Sequence, residues 1–155
     1  MDTCITREVW ADPEVVFALA AAVEDWPRLL PHYRWVRVLA EPPGGRLVEM
    51  AARRDLLGRL GIPLWWRSIQ SADPPSRTIR FEHVAGITRG MQVEWQVLPH
   101  DGGRLEVRIR HVFRPRWPVP DWLLERVVGQ FFVNAVAART LWHLGRLAEQ
   151  APKRA

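Results

Sequence analysis

From Met91 to Ile109 the chain alternates with a period of two. Met91, Val93, Trp95 and Val97 share one parity, and Gln92, Glu94 and Gln96 share the other. After Asp101-Gly102-Gly103 the pattern resumes, with Leu105, Val107 and Ile109 set against Glu106, Arg108 and Arg110. Successive side chains of a strand point to opposite faces, so these two runs read as an antiparallel hairpin with one buried and one wet side. The Asp-Gly-Gly between them has the residues a tight connection needs. Matching the faces sets His111 across from Val93 and Glu94 opposite Arg110, which are expected to form a cross-strand ion pair. A sheet with one apolar face must have that face covered by another layer, and this requirement limits the possible folds to a few.

Only one segment is long enough to be the cover. Arg114-Pro115-Arg116-Trp117-Pro118-Val119-Pro120 stops the last strand, because proline removes ladder donors. Asp121 is then expected to cap a helix running to about Glu149, with an apolar stripe of Leu124, Val127/Val128, Phe131, Ala135, Ala138, Leu141/Trp142 and Gly145. Small residues on that stripe (Ala135, Ala138, Gly145) leave space against the sheet, and a largely apolar cavity of at least ~300 Å³ is expected there.

Upstream, residues 3–10 read as a first strand. Asp12-Pro13 suits a helix start, since Asp accepts from free backbone N–H groups and proline has none to leave unpaired. That helix stops near Val23, and a short turn through Glu24-Asp25-Trp26-Pro27 leads into a strand at 33–40. Further strands are expected at 46–54, 64–72 and 77–84, with turn signals at Glu41-Pro42-Pro43-Gly44-Gly45 and Asp73-Pro74-Pro75-Ser76. Leu56-Leu57-Gly58-Arg59-Leu60-Gly61-Ile62-Pro63 reads as a connection, unusually apolar for a loop. The result is an α+β domain over 1–150, with 151–155 as a frayed tail.

Composition narrows the function classes. The chain has 155 residues and a formal net charge of +5, and Lys153 is its only lysine. A basic balance points to nucleic acid or an anionic membrane. Here the arginines are dispersed and no nucleic-acid-binding motif accompanies them, so no nucleic-acid partner is expected. No apolar run reaches the ~18 residues of a membrane span. Met1-Asp2-Thr3-Cys4 has neither a basic segment nor an apolar core, so no signal peptide is expected, and the cytoplasm is the expected compartment. Cys4 is the only cysteine and reads as a core thiol. The five histidines lack metal-ligand spacing, so neither a metal nor a cofactor is expected.

Candidate site residues are those whose parity faces the helix. His111 continues the face of Leu105, Val107 and Ile109, so its imidazole should be buried and must find a partner or carry a cost. Trp65 and Trp66 point to opposite faces. Trp66 shares its face with Leu64, Ser68 and Gln70, a mixture of apolar and small polar groups that suits a ligand pocket. Met50, Arg54 and Trp95 share inward parity on their strands. Phe131 and Asn134 are the inward candidates of the long helix, and Tyr33 stands at the end of its strand.

Two helices between a first strand and a long antiparallel meander, with acidic-Trp-Pro at Asp25-Trp26-Pro27, resemble the START-like family of polyketide cyclases and lipid-binding proteins. The resemblance spans residues 3 to about 149. It implies a helix-grip fold, in which a curved sheet of about seven strands wraps a long C-terminal helix around a hollow interior. In aromatase/cyclases of this family the Trp-Pro is followed by a pocket tyrosine, matched by Tyr33. A strand-four Trp-x-Ser-x-Arg there supplies pocket-wall groups, with its arginine proposed to polarise a substrate oxygen. Here that stretch reads Trp66-Arg67-Ser68-Ile69-Gln70, so a neutral amide stands where the family has a fixed charge, and Arg54 is the nearest inward substitute. The resemblance implies a hydrophobic, planar aromatic or quinone/lipid-like ligand. Trp66, Ser68, Gln70, Trp95, Met50, Arg54, Phe131 and Asn134 would contact it, and His111 and Tyr33 would act if the protein is a cyclase. A carrier needs only the cavity. A third reading gives Leu56–Ile62, flanked by Arg53, Arg54 and Arg59, to peripheral membrane contact; otherwise the segment is a flap over the cavity mouth.

Overall fold

The computed structural model describes residues 1–56, 60–116 and 118–152, without the side chains of 54–63 and of Phe131. Strands β1 (Asp2–Val9), β2 (Tyr33–Ala40), β3 (Arg46–Leu56), β4 (Leu60–Asp73), β5 (Thr78–Gly86), β6 (Met91–Pro99) and β7 (Leu105–Phe113) form one antiparallel sheet in the order β1-β7-β6-β5-β4-β3-β2. Helices α1 (Pro13–Ala21) and α2 (Trp26–Leu29) lie between β1 and β2. A continuous C-terminal helix follows β7. It consists of α3 (Asp121–Leu124), a π-helical stretch (Glu125–Ala137) and α4 (Ala138–Gln150).

The period-two reading holds along β6 and β7. Met91, Val93, Trp95, Val97, Leu105, Val107, Ile109 and His111 are buried, and Glu94 lies opposite Arg110 and Val93 opposite His111. The expected ion pair is made differently. Glu94 accepts from Arg80 of β5 at 2.8 Å, and Arg110 turns to Asp2 of β1 at 2.6 Å. Glu94 sits between β5 and β7, and its closest guanidinium comes from β5, while Arg110 reaches the edge strand on its other side.

Local chemistry at α1 is as expected: the Glu14 N–H donates to Asp12 Oδ1 at 2.9 Å and Pro13 opens the helix. Asp121 does not cap. Pro120 holds the N-cap position with extended backbone, and Asp121 lies in the first turn, where the helix dipole still favours its charge. Cys4 is exposed because β1 turns its even residues outward, so it is not a core thiol. The expected loop at 56–63 is largely strand: Arg53 to Leu56 pair with Pro63 to Leu60. Glycine and proline there read as breakers, but an antiparallel hairpin carries them. Residues 57–59 and the side chains of the expected membrane-contact segment Leu56–Ile62 lie outside the described residues.

The largest departure is in the covering helix. Leu124, Val128, Phe132, Val133, Val136, Thr140, Leu141, Leu144 and Ala148 are buried. A stripe drawn at 3.6 residues per turn slips by about one residue through the π-helical stretch, where the Ala138 N–H bonds to the Val133 carbonyl five residues back. The slip puts Phe132 and Val136 on the core where the expected stripe had Phe131 and Ala135, and it leaves Asn134 exposed.

Candidate functional site

Sheet and helix enclose a small space lined by Trp26, Tyr33, Met50, Trp66, His83 and His111, together with Trp95, Phe132, Val136 and Thr140. Its volume is about 40 Å³, room for a few water molecules and far below a ligand-sized cavity. The expectation of a cavity of at least ~300 Å³ is therefore corrected. The reason is the helix phase. Val136 stands where the expected stripe had Ala135, and Phe132 packs edge-on against Trp66 at 5.0 Å and against His83 at 5.5 Å between ring centroids. Trp66 in turn stacks on His83, 6.0 Å apart and 11° from parallel. Trp26 meets Tyr33 edge-on at 5.1 Å.

The polar groups around this space divide into two kinds. The first is bonded within the protein, save His32 Nδ1, which has no partner among the described residues. The Thr140 hydroxyl lies 2.8 Å from the Val136 carbonyl, 2.9 Å from His32 Nε2 and 3.4 Å from the Tyr33 hydroxyl. The threonine has one proton, and the carbonyl can only accept it, so His32 must donate from Nε2. His83 Nδ1 lies 2.6 Å from the Thr88 hydroxyl, which ties the β5–β6 turn to the interior. The second kind is unpartnered. His111 is fully buried, and neither Nδ1 nor Nε2 has a hydrogen-bond partner among the described residues. Ser68 Oγ is in the same condition, although it does not line the space.

Electrically the interior is neutral. Burial lowers His111 to about 4, His83 to about 3 with help from the neighbouring His111, and His32 to about 4 with help from Arg139. Burial also raises the Tyr33 phenol above its ordinary range, opposed by its contact with Thr140. At pH 7 all four are uncharged. His111 is therefore not an acid poised near neutrality. It is a neutral imidazole able to donate one hydrogen bond and accept another.

Of the residues expected from sequence, Tyr33, Met50, Trp66, Trp95 and His111 line this space. Gln70 is buried but its amide is committed elsewhere. Nε2 donates to the Ala21 carbonyl at 2.9 Å, and Oε1 accepts from Arg46 at 2.8 Å. The positive charge beside Gln70 comes from β3 as Arg46, which also pairs with Glu24 at 3.1 Å. It ties down the end of α1, and neither residue faces the cavity. Asn134 is exposed, and the side chains of Arg54 and Phe131 lie outside the described residues. His83, Phe132 and Thr140 were missed. His83 shares its strand parity with Phe81 and was legible; Phe132 and Thr140 depend on the helix phase.

A curved antiparallel sheet closed on a long helix around an aromatic interior defines a helix-grip, START-like protein. A family model described as "Polyketide cyclase / dehydrase and lipid transport" matches residues 9–139, and the chain belongs to that family. Over 110 residues it is 33% identical to the granaticin polyketide synthase bifunctional cyclase/dehydratase of Streptomyces violaceoruber, covering 70% of this chain and 32% of that protein. The chain thus spans about a third of that relative's length. Among solved structures it is similar in fold to the Zhui aromatase/cyclase from Streptomyces sp. R1128, with a TM-score of 0.76, 22% identity, and 97% of this chain and 94% of that one covered. A START superfamily protein from Mycobacterium smegmatis has a TM-score of 0.70 at 15% identity, with 94% and 98% covered.

Proposed function

We propose that this protein binds an uncharged, planar, hydrophobic molecule of the polyketide or quinone kind between its sheet and its long helix. One observation carries the reading: His111, fully buried, with neither ring nitrogen partnered among the described residues and facing an aromatic-lined space. An unsatisfied buried donor or acceptor costs ~1–3 kcal/mol, so a group kept in that state is understandable where a ligand oxygen completes it. The aromatic walls supply stacking surfaces, and the kinship with cyclases and lipid-transport proteins is consistent with such a cargo. Entry requires Phe132 and Trp66 to move apart, because the space as it stands is about 40 Å³. Titration with menadione and 1-naphthol, followed by tryptophan quenching and calorimetry, tests this. Saturable one-to-one binding is expected, and Phe132→Ala should tighten it by removing the ring that must move. Absence of saturable binding of either probe to both proteins would sink the reading.

A second reading, catalysis of cyclisation or dehydration, draws on the 33% identity to a named cyclase/dehydratase. His111 would then accept a proton from bound substrate while the Tyr33 hydroxyl orients an oxygen. A base whose own proton affinity is lowered to about 4 is weak at neutral pH, which favours binding over turnover. His111→Gln keeps a hydrogen bond and removes the base. A cyclase should lose ~10²-fold or more in turnover while still binding. Unchanged turnover would clear His111.

A further inference from the structure

The arginines are not distributed as a uniform coat. At the sheet end where β1 finishes and β2 finishes, Arg46, Arg77 and Arg104 each face a carboxylate, at 3.1, 2.7 and 2.8 Å from Glu24, Glu14 and Glu8. The opposite end holds the β5–β6 turn and the exit from β7. There Arg89, Arg114 and Arg116 are exposed and have no ion pair among the described residues. These three line one groove of about 570 Å³, with Ile87 at its rim and Glu82 as its acidic side chain.

Large apolar side chains project at the same end. Ile87, at the tip of the β5–β6 turn, is 59% exposed, and Trp122, at the start of the long helix, is 65% exposed. The helix is anchored there: Met1, whose amino group donates to the Phe113 carbonyl, lies against Gly129. Trp122 is seven residues before Gly129, roughly 10 Å further out along the axis at 1.5 Å per residue. It therefore extends past the end of the sheet, with Leu123 and Val127 also exposed. Asp121 and Glu125 share those helical turns.

We propose that this end of the molecule, Ile87, Arg89, Arg114, Arg116 and Trp122, docks on an anionic lipid surface. Guanidinium groups without carboxylate partners attract phosphate headgroups, and a tryptophan with an exposed aliphatic neighbour prefers the headgroup–acyl boundary. An acidic protein would match the arginines but not the projecting Ile87 and Trp122 on separate elements. His83 lines both the groove and the internal space, so the two share a wall.

Cosedimentation of the full chain with phosphatidylglycerol/phosphatidylcholine vesicles, and with phosphatidylcholine alone, tests the proposal without any interior ligand. Binding is expected on the anionic vesicles and should fall steeply between about 0.05 and 0.5 M salt. Replacing Arg89, Arg114 and Arg116 together by Gln should weaken partitioning ~100-fold, each arginine contributing about fivefold. Trp122→Ser should weaken binding to anionic vesicles. Arg80→Gln with Arg104→Gln, at arginines that already have carboxylate partners, should leave it unchanged. Equal binding to both vesicle types, no binding to either, or full retention by the triple variant overturns the proposal. Capture on polyglutamate beads with no vesicle binding overturns it in favour of an acidic protein partner.

Discussion

His111→Leu should make this protein more stable, and more so in acid. The buried wild-type imidazole has no partner for either nitrogen among the described residues, a cost of ~1–3 kcal/mol that an apolar side chain of similar size removes. Some packing is lost in the exchange, so a net gain of about 1 kcal/mol is expected. Acid widens the gap. The folded-state value of about 4 lies below the 6.5 of an unburied histidine, so between those values the unfolded chain binds the extra proton. Stability linked to His111 is fully present above about 6.5 and is lost as pH falls towards 4. Going from pH 7 to pH 5 should cost the wild type about 2 kcal/mol through this residue alone, and the variant nothing through it. The advantage of His111→Leu should therefore grow from about 1 to about 3 kcal/mol. Urea unfolding at the two pH values, with the denaturant slope unchanged, measures both numbers. A variant less stable than wild type at pH 7 would mean the imidazole is satisfied in solution. An advantage that does not grow in acid would mean its proton affinity is not lowered.

His32 and His83 are buried and lowered in the same direction, so the wild type should lose up to about 6 kcal/mol in all between pH 7 and pH 5; a flat stability profile over that range would refute the neutral interior. Gly86→Ala should destabilise by more than ~1 kcal/mol, because a methyl there would meet the Trp65 carbonyl at 2.4 Å on a backbone with φ of +93°; an unchanged melting temperature would show that the β4–β5 contact gives way. Asp12→Ala should cost ~1 kcal/mol by removing the acceptor of the Glu14 N–H, measured by thermal unfolding.

The sheet was legible because its signal is binary. Parity alone put Val93 against His111 and Trp65 and Trp66 on opposite faces, and parity holds within a strand wherever no bulge shifts the register, as along β6 and β7. Helix phase is less forgiving. A ruler of 3.6 residues errs by one position once the backbone bonds five residues back, and one position is the difference between Ala135 and Val136. That single slip changed the inference about the interior from a roomy cavity to a nearly filled one. Gln70 was misread for another reason. Its inward parity was right, but its hydrogen-bond partners come from α1 and β3, and no local pattern records a partner that far along the chain. Cys4 shows how the first strand can fail: Thr3, Ile5 and Arg7 share its inner parity, and such a mixture gives no clear inner face.

The division of polar groups around the interior also predicts ligand charge. Tyr33, Thr140 and His32 Nε2 bond one another and His83 Nδ1 is tied to Thr88, whereas His111 lines the space with neither ring nitrogen partnered among the described residues. Among the described residues no lysine, arginine, aspartate or glutamate lines the space. A ligand carboxylate placed there would be buried without a cation, a penalty of several kcal/mol. A carbonyl or phenol oxygen would meet a neutral imidazole that can donate to it or accept from it. 1-Naphthol should therefore bind at least ~100-fold more tightly than 1-naphthoate at pH 7, a difference of about 3 kcal/mol. The gap should narrow towards pH 5, as a growing share of the carboxylate takes up a proton before entry. Calorimetry with both compounds at the two pH values decides it. Equal affinity at pH 7 would mean that a cation reaches the bound carboxylate, and the interior would then not select for uncharged ligands.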